Sequence, residues 1–313
     1  MKGEFEFIEE LKRSFGAPDG VLGIGDDCAV IPVGGEDMLV STDMMMEGTH
    51  FIMDRISPYQ LGWKSAASSF SDIAAMGGAP VGAFLALSIP SGLQDSWTDG
   101  FMGGFGDVSR EYGFPLLGGD TTASPDRVSV CVTVLGKAPH GQCRRRDAAR
   151  PGDLVCVTGT LGDSAAGLDV VLNGRDLTEA ARALVGRHYL PRPRIREGIA
   201  LAGCGGVHAM MDISDGIGSD LRRIMEASGV GFSIDMGRIP MSGELASYCR
   251  ACGSDPYDFA VGGGEDYELL FTVAPGIEAP VAHTVIGRTV EGDSIVWNGS
   301  DKDFVGFDHF KGR

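Results

Sequence analysis

Acidic residues in this chain recur in short segments rich in glycine or hydroxyl residues, and these segments constrain the fold more than any other feature. They are Gly23-Ile-Gly-Asp-Asp27, Ser41-Thr-Asp43, Asp72, Gly118-Gly-Asp120, Asp212-Ile-Ser-Asp215 and Gly263-Gly-Glu-Asp266. Most of them lie at the ends of predicted strands or helices. Carboxylates packed together destabilise a protein unless cations offset their repulsion, and oxygen-rich clusters of this kind suit Mg²⁺ or Mn²⁺. The pattern therefore predicts metal-dependent phosphate chemistry.

Each segment taken alone has a simpler interpretation. An Asp/Gly pair is typical of an ordinary turn between two strands. Gly118-Gly-Asp-Thr-Thr122 fits either a hairpin turn or a loop whose backbone N–H groups face a phosphate while Asp120 holds a metal. Ser214 and Asp215 precede a predicted helix, where phosphate is favoured. Repetition along the chain favours the metal interpretation over turns alone.

Hydrophobic periodicity and turn residues predict a chain that mixes helices and strands. The predicted elements that position the acidic segments are a helix over 4–15, a hairpin of strands 29–32 and 38–43, a helix from 57 to about 76, a strand over 81–89, a helix over 96–112, a short strand over 115–117 that runs into the Gly118 turn, and strands over 208–212 and 269–273. Asp72 is then expected on the last turns of its helix.

The composition changes near residue 138, where proline, glycine and arginine become frequent. We predict a metal- and nucleotide-binding domain over 1–138, a linker over 139–152 and an α/β domain over 153–313. A chain of 313 residues is long enough for two domains that each bury a core. Within the linker, Arg144 to Arg146 are either a solvated patch or a source of an arginine for nucleotide phosphate.

Bulk composition excludes several classes of protein. A formal net charge of −17 argues against a nucleic-acid partner. The first residues lack the basic start of a signal peptide, and no apolar run approaches the roughly 20 residues of a membrane span. The seven cysteines are odd in number and irregularly spaced, which favours reduced thiols, including the Cys249 and Cys252 pair. We expect a cytoplasmic protein without nucleic-acid or membrane partners.

Common nucleotide-binding and catalytic motifs are missing from the sequence. There is no GxxxxGK[ST] loop, no GxGxxG between a strand and a helix, and no protein-kinase catalytic loop. No Ser/His/Asp arrangement is evident among the six histidines. A bound nucleotide would therefore require a metal-rich architecture of another type.

Taken together, the segments resemble the thiamine-monophosphate kinase family, which belongs to a superfamily with aminoimidazole ribonucleotide synthetase and selenophosphate synthetase. The matching segments are Gly23 to Val30, Ser41 to Asp43 with His50, Ser71 to Gly77, Gly118 to Thr122, Val157 to Ser164, Met211 to Gly216 and Gly263 to Leu269. The resemblance implies an α/β (α+β), two-domain fold of the aminoimidazole ribonucleotide synthetase type. In this fold the N-terminal domain binds metal and nucleotide and also dimerises, with its sheet pairing across a homodimer. It also implies ATP-dependent phosphorylation of thiamine monophosphate to thiamine diphosphate, the last step of thiamine diphosphate biosynthesis.

The resemblance also assigns roles to individual residues. The implied Mg²⁺ ligands are Asp26, Ser41, Thr42, Asp43, Asp72, Asp120, Asp212 and Asp215. Catalysis is expected to act through the ions held by Asp43, Asp72, Asp120 and Asp212. The implied ATP contacts are Tyr112, Gly119, Asp120, Arg146 and Ser214, and the implied substrate contacts are His50, Glu265 and Phe307. Arg145 is an alternative to Arg146, and Phe310 is an alternative to Phe307.

The chemistry requires no general base, because the attacking phosphate oxygen is already ionised at neutral pH. The obstacle is repulsion between two anions, which several Mg²⁺ ions would offset during a direct in-line transfer. The alternatives are a ribonucleotide or selenophosphate synthetase of the same superfamily and a non-catalytic divalent-cation-binding protein. The reactive N-terminal cysteine and lysine of the selenophosphate enzymes are not visible before Gly23.

Overall fold

The computed structural model describes residues 3–175, 178–302 and 304, which form two β-sheets with helices packed between and around them. The first half of the chain contains α1 (Glu4–Ser14), β1 (Ala29–Val33), β2 (Glu36–Met46), α2 (Pro58–Ala75), β3 (Ala79–Pro90), α3 (Asp95–Tyr112), β4 (Leu116–Ser124) and β5 (Ser129–Pro139). The second half contains β6 (Leu154–Val157), α4 (Asp163–Asn173), α5 (Glu179–Tyr189), α6 (Ile195–Ala202), β7 (Val207–Asp212), α7 (Ile217–Ser228), β8 (Gly231–Asp235), α8 (Gly243–Cys252), α9 (Pro256–Ala260), β9 (Leu269–Val273), β10 (Thr284–Val290) and β11 (Ile295–Asn298). The α/β (α+β) class predicted from the sequence is confirmed.

The first sheet has five strands in the order β1-β2-β5-β3-β4. The predicted hairpin of β1 and β2 is present, with Ala29 opposite Val40. The β2 strand pairs with β5 along its length and places Asp43 opposite Val132. All pairs in this sheet are antiparallel except β3 with β4, which run parallel.

The turn predicted at Gly118 to Thr122 is wrong, because these residues lie inside the edge strand β4. They pair with β3, with Gly118 opposite Phe84 and Thr122 opposite Ser88. A Cβ atom at Gly119 would lie 1.8 Å from the Leu85 carbonyl oxygen, so the close approach of the two strands requires glycine there. The local pattern of glycine followed by an acidic residue cannot reveal pairing with β3, which lies about 30 residues earlier in the chain.

Helix α2 occupies the centre of the molecule and is buried along most of its length. It begins with a capping box, in which the Ser57 hydroxyl accepts from the Gln60 N–H and the Gln60 side chain accepts from the Ser57 N–H. Helix α3 crosses it closely, because a Cβ at Gly62 would lie 1.9 Å from the Phe101 carbonyl oxygen and one at Gly104 would lie 1.9 Å from the Tyr59 carbonyl oxygen. Small residues thus allow the two backbones to meet.

The second sheet has six strands in the order β11-β8-β10-β6-β9-β7, and its strands β6, β7 and β9 are buried on both faces. Cys156, Met210 and Phe271 belong to the hydrophobic cluster that also contains the residues of α2. Their alternating neighbours, such as Met211 and Leu270, belong to a second cluster with α4 and α7. The first core therefore spans both halves of the chain, which differs from the expectation of a separate core for each half.

The segment that connects the two halves of the chain is hydrogen-bonded to the second half. The Ala149 N–H donates to the Ser228 hydroxyl at 3.0 Å, and this hydroxyl donates to the Arg146 carbonyl at 2.6 Å. The boundaries 1–138, 139–152 and 153–313 stay predictions. In the part of the chain that the structure describes, none of the helices combines the length and apolar character needed to cross a bilayer.

Candidate active site

Three carboxylates from distant parts of the chain meet where α2 approaches the second sheet. Asp27 precedes β1, Asp72 lies on the last turn of α2, and Asp212 is the last residue of β7. One oxygen atom from each lies within 4.8 Å of the other two. The family resemblance had implied a Mg²⁺ ligand at Asp26, which stays a prediction, and its neighbour Asp27 is the residue that contributes to this group of three. The Asp26 side chain is also buried, and its Oδ1 lies 3.7 Å from the Nε of Arg146.

Hydroxyl groups orient two of these carboxylates. The Ser41 Oγ donates to Asp72 Oδ2 at 2.5 Å, and the Ser71 Oγ donates to Asp212 Oδ2 at 2.6 Å. Asp43 follows on β2 and lines the same cavity as Asp72. Thr42, which was also predicted as a ligand, points its hydroxyl to Thr133 at 2.9 Å on the exposed side of the sheet.

Burial and mutual repulsion shift the charge state of the cluster. Burial, helped by the charge of Asp27, raises the pKa of Asp26 to about 7 and that of Asp212 to about 7. Burial, followed by the charges of Asp43 and Asp212, holds the pKa of Asp72 well above its usual value. The carboxylates thus retain protons that a bound cation would displace. Hard oxygen donors gathered in this way fit Mg²⁺.

Arg146 supplies the positive charge next to the cluster. Its guanidinium forms a two-point contact with Asp27, of which the Nε to Oδ2 distance is 3.3 Å, and its backbone N–H donates to Asp26 Oδ2 at 3.2 Å. Arg145 pairs with Asp147 at the surface. Arg144 donates to the carbonyls of Ala202 and Cys204 at the end of α6. Each arginine of the run therefore has its own contact, and the one at the cluster is Arg146.

A cavity of about 560 Å³ lies beside the carboxylates. Its acidic lining consists of Asp43, Asp72, Asp169, Asp212, Asp215 and Glu265, and its larger apolar lining residues are Met44, Met45, Phe51, Ile52, Leu168, Val171, Leu172 and Tyr189. Ser214 also lines it, close to the N-terminus of α7, which Gly216 precedes as the N-cap. The apolar residues of α4 were not among the predicted site residues, since an apolar stripe on a helix usually faces a core.

Glu265 projects into this cavity from a strained loop. It has φ 63°, a left-handed value that is uncommon for residues other than glycine. Its N–H donates to the Ser214 carbonyl at 2.8 Å, which ties the loop to the segment after β7. His50 lines the same cavity, and its Nδ1 accepts from the Met46 N–H at 2.9 Å. Phe307 and Phe310 lie outside the described residues.

Two residues outside the predicted site set contact Glu265. The buried ammonium of Lys64 lies 2.9 Å from Glu265 Oε2 and 3.3 Å from His188 Nε2. The sequence does contain a pattern that singles out Lys64, because this cation lies within a predicted helix among apolar or small residues. The Ser164 hydroxyl lies 3.1 Å and the Glu265 carboxylate 3.4 Å from the same ring nitrogen of His188, Nδ1. A Ser-His-acid relay needs the hydroxyl and the carboxylate on opposite ring nitrogens, so these three residues do not form one.

The remaining predicted ATP contacts lie apart from this cavity in the described structure. Gly119 and Asp120 lie on the exposed edge strand β4. Tyr112 ends α3 and is partly buried, where burial and then Glu111 raise its pKa to about 12. Within one chain, these three residues are not gathered with Asp27, Asp72 and Asp212.

Two family models match the sequence. The model for the AIR synthase related protein, N-terminal domain, matches residues 25–138, and the model for the C-terminal domain matches residues 150–298. Among curated proteins, the thiamine-monophosphate kinase of Escherichia coli (strain K12) is 38% identical over 309 residues, covering 93% of each chain. That of Aquifex aeolicus (strain VF5) is 35% identical over 310 residues, covering 98% of each chain.

Solved structures are similar over nearly the whole chain. The structure of AaThiL complexed with AMPPCP and TMP has a TM-score of 0.91 at 34% identity, covering 98% of this chain and 97% of that one. The thiamine-monophosphate kinase from Stenotrophomonas maltophilia K279a has a TM-score of 0.79 at 34% identity, covering 96% of this chain and 98% of that one. The HypE-HypF complex, at 18% identity and a TM-score of 0.73, shares the fold.

Proposed function

Because this chain belongs to the thiamine-monophosphate kinase family, we propose that it transfers the γ-phosphoryl group of ATP to thiamine monophosphate, the last step of thiamine diphosphate biosynthesis. The products are thiamine diphosphate and ADP. The observation that carries this proposal is the meeting of Asp27, Asp72 and Asp212 beside a cavity lined by both carboxylates and apolar groups. Such a lining suits a substrate with a phosphate, a cationic ring and a flat apolar ring.

The carboxylate cluster addresses the main barrier to this reaction, the approach of two anions. Two unit charges about 4 Å apart repel by roughly 4 kcal/mol at an effective dielectric near 20. Mg²⁺ held by Asp27, Asp72 and Asp212, with Asp43 and Asp215 in the adjoining cavity lining, would neutralise this charge and align the phosphates. Ser41 and Ser71 orient the carboxylates through hydrogen bonds, so the donor oxygens are arranged before any ligand arrives. The acceptor phosphate is itself ionised, and no base is needed.

The acceptor is recognised by the groups around Glu265. The Glu265 carboxylate offers a negative charge to the thiazolium ring, and Phe51 and Tyr189 offer aromatic surface in the same cavity. We assign His50 to the phosphate of thiamine monophosphate. The proposed contact with Phe307, or with Phe310 in its place, rests on the family resemblance.

ATP is bound by residues that lie outside the acceptor region around Glu265. We assign Arg146, Ser214 and the N-terminus of α7 to its phosphates, since guanidinium and helix N-termini both favour anions. Tyr112, Gly119 and Asp120 would complete the nucleotide site from the first sheet. Their separation from the cavity within one chain is consistent with a nucleotide site that is completed in a homodimer.

The outer face of the first sheet supports such a homodimer. Met44, with 56% of its surface exposed, lies opposite Cys131, and Phe84, with 40% exposed, lies opposite Thr133, so all four share one uncovered face. Large exposed apolar patches usually mark interfaces. We expect a dimer in light scattering, and Phe84→Asp should shift it to a monomer with reduced turnover. A dimer that withstands this substitution would place the interface elsewhere.

Turnover tests the proposed activity directly. Purified protein with ATP, Mg²⁺ and thiamine monophosphate should produce thiamine diphosphate and ADP in equal amounts, and Asp72→Asn should abolish the reaction while the fold is retained. Absence of thiamine diphosphate from the wild-type reaction would disprove the proposal. The seven cysteines are free thiols, which suits the reducing cytoplasm where we propose that the reaction occurs.

A further inference from the structure

Lys64 is the largest charged side chain that the fold buries completely, and its only close acidic neighbour in the described residues lines the cavity. Its side chain is 1% exposed and its Nζ lies 2.9 Å from Glu265 Oε2. Lys64 belongs to α2 in the first half of the chain, whereas Glu265 lies in the loop before β9 in the second half. The Glu265 side chain is 29% exposed, so only the lysine of this ion pair is fully buried. Burying the ammonium is costly, and the pair gives little net stability compared with apolar packing. Its retention at the edge of a binding cavity calls for another explanation.

His188 completes the contact and determines which oxygen of Glu265 faces the cavity. Lys64 has only donors, so His188 Nε2 accepts and the ring proton resides on Nδ1. Burial, and then the charge of Lys64, lower the pKa of His188 to about 3, so the ring is neutral. Lys64 and His188 Nδ1 both contact Oε2. The Oε1 atom is therefore the oxygen available to a ligand.

The backbone at Glu265 makes this support necessary. Its left-handed φ of 63° is unfavourable by a few kcal/mol at most, and such strain persists only where surrounding contacts define the conformation. Burial alone would raise the pKa of Glu265, but Lys64 and then His188 outweigh it and hold the pKa below its usual value. The carboxylate is thus kept charged as well as oriented.

We infer that Lys64 is a positioning residue for the acceptor substrate: it holds the Glu265 carboxylate by Oε2 so that Oε1 meets the cationic ring of thiamine monophosphate. This inference rests on the proposed function. Lys64 contacts Glu265 and His188 and would act through Glu265, so its effect should fall on acceptor binding and not on ATP binding.

Steady-state kinetics of single and double variants test the inference. Lys64→Met keeps the length of the side chain and removes its charge. It should raise KM for thiamine monophosphate about tenfold, the effect of losing one charge-assisted contact, and leave KM for ATP within about twofold. Ser65→Ala is the matched control, because Ser65 is the next residue of α2, is equally buried and donates only to the Gly62 carbonyl. This control should leave both constants unchanged.

A double variant keeps the test decisive if Lys64→Met folds poorly because the Glu265 carboxylate has lost its cation. Glu265→Gln removes the charge that Lys64 neutralises, so Lys64→Met/Glu265→Gln should fold and show the same KM for thiamine monophosphate as Glu265→Gln alone. A further increase of more than about threefold in the double variant, or an equal rise in KM for ATP in Lys64→Met, would overturn the inference. Wild-type protein that makes no thiamine diphosphate would instead refute the proposed function, and the inference with it.

Discussion

At the scale of single residues, Arg146 is placed to pair first with Asp27 and then, once a cation has bound, with nucleotide phosphate. In the structure its guanidinium lies on Asp27 and its N–H on Asp26, so it offsets part of the charge of the carboxylate cluster. A cation that binds Asp27 competes with this contact. The guanidinium would then be released to pair with nucleotide phosphate, which is why we assign it to ATP.

This double role predicts opposite effects of one substitution. Arg146→Ala should tighten Mg²⁺ binding to the nucleotide-free protein, because a competing cation is removed, and should raise KM for ATP by roughly tenfold or more through loss of a charge-assisted contact. Calorimetric titration with Mg²⁺ and steady-state kinetics measure the two effects. Arg145→Ala is the control, since Arg145 pairs with Asp147 at the surface. Weaker Mg²⁺ binding in Arg146→Ala would contradict the idea of competition.

At the scale of secondary-structure elements, the contact of α2 with α3 positions Asp72. Asp72 lies at the end of α2, and the depth at which this helix packs depends on the glycines where α3 crosses it. Gly104 lies directly over the Tyr59 carbonyl, whereas its neighbour Gly103 has only ordinary contact with the Tyr59 ring, 3.7 Å away. Adjacent positions on one helix therefore differ sharply in available space.

These neighbouring glycines allow a matched comparison of stability. Gly104→Ala should destabilise the protein by about 1 to 3 kcal/mol or more, because the new methyl group forces the helices apart. Gly103→Ala should be neutral or stabilising by up to about 1 kcal/mol, since alanine favours helix more than glycine does. Urea denaturation gives both values. Equal destabilisation by the two substitutions would show that the crossing is not tightly packed at Gly104.

At the scale of the whole molecule, the carboxylate cluster joins the two halves and links stability to pH. Asp27 and Asp72 come from the first half and Asp212 from the second, and burial raises the pKa of Asp26 and Asp212 to about 7. The folded protein therefore binds protons that the unfolded chain releases near pH 4. Since the folded state binds more protons over this interval, the free energy of unfolding falls as pH rises.

Without divalent cations, we expect the melting temperature to fall between about pH 5 and pH 8. Mg²⁺ should raise it more at pH 8 than at pH 5, because the ion binds the ionised cluster of the folded protein. Thermal melts at matched ionic strength, with KCl in place of MgCl₂ as the control, measure this difference. A Mg²⁺ effect that is equal at both pH values would argue against ion binding at these carboxylates.

Much of the architecture could be predicted from local sequence. The capping box of Ser57 and Gln60 marks the start of α2, and apolar runs between turn residues predicted β2 and β3 close to their observed bounds. These features depend on neighbours along the chain, so they can be interpreted without the fold. Family membership, expected from the acidic segments, is confirmed by relatives 35% to 38% identical over most of the chain.

Tertiary structure alone decided which side chains meet. It grouped Asp27 with Asp72 and Asp212, made Gly118 to Thr122 a strand, and brought Lys64 to Glu265. Such contacts join residues far apart in sequence, and their distances depend on how helices and sheets pack, which no local pattern of residue types records. The amino-acid sequence thus determined the chemistry available to this protein, and packing of α2 between the two sheets decided where that chemistry is assembled.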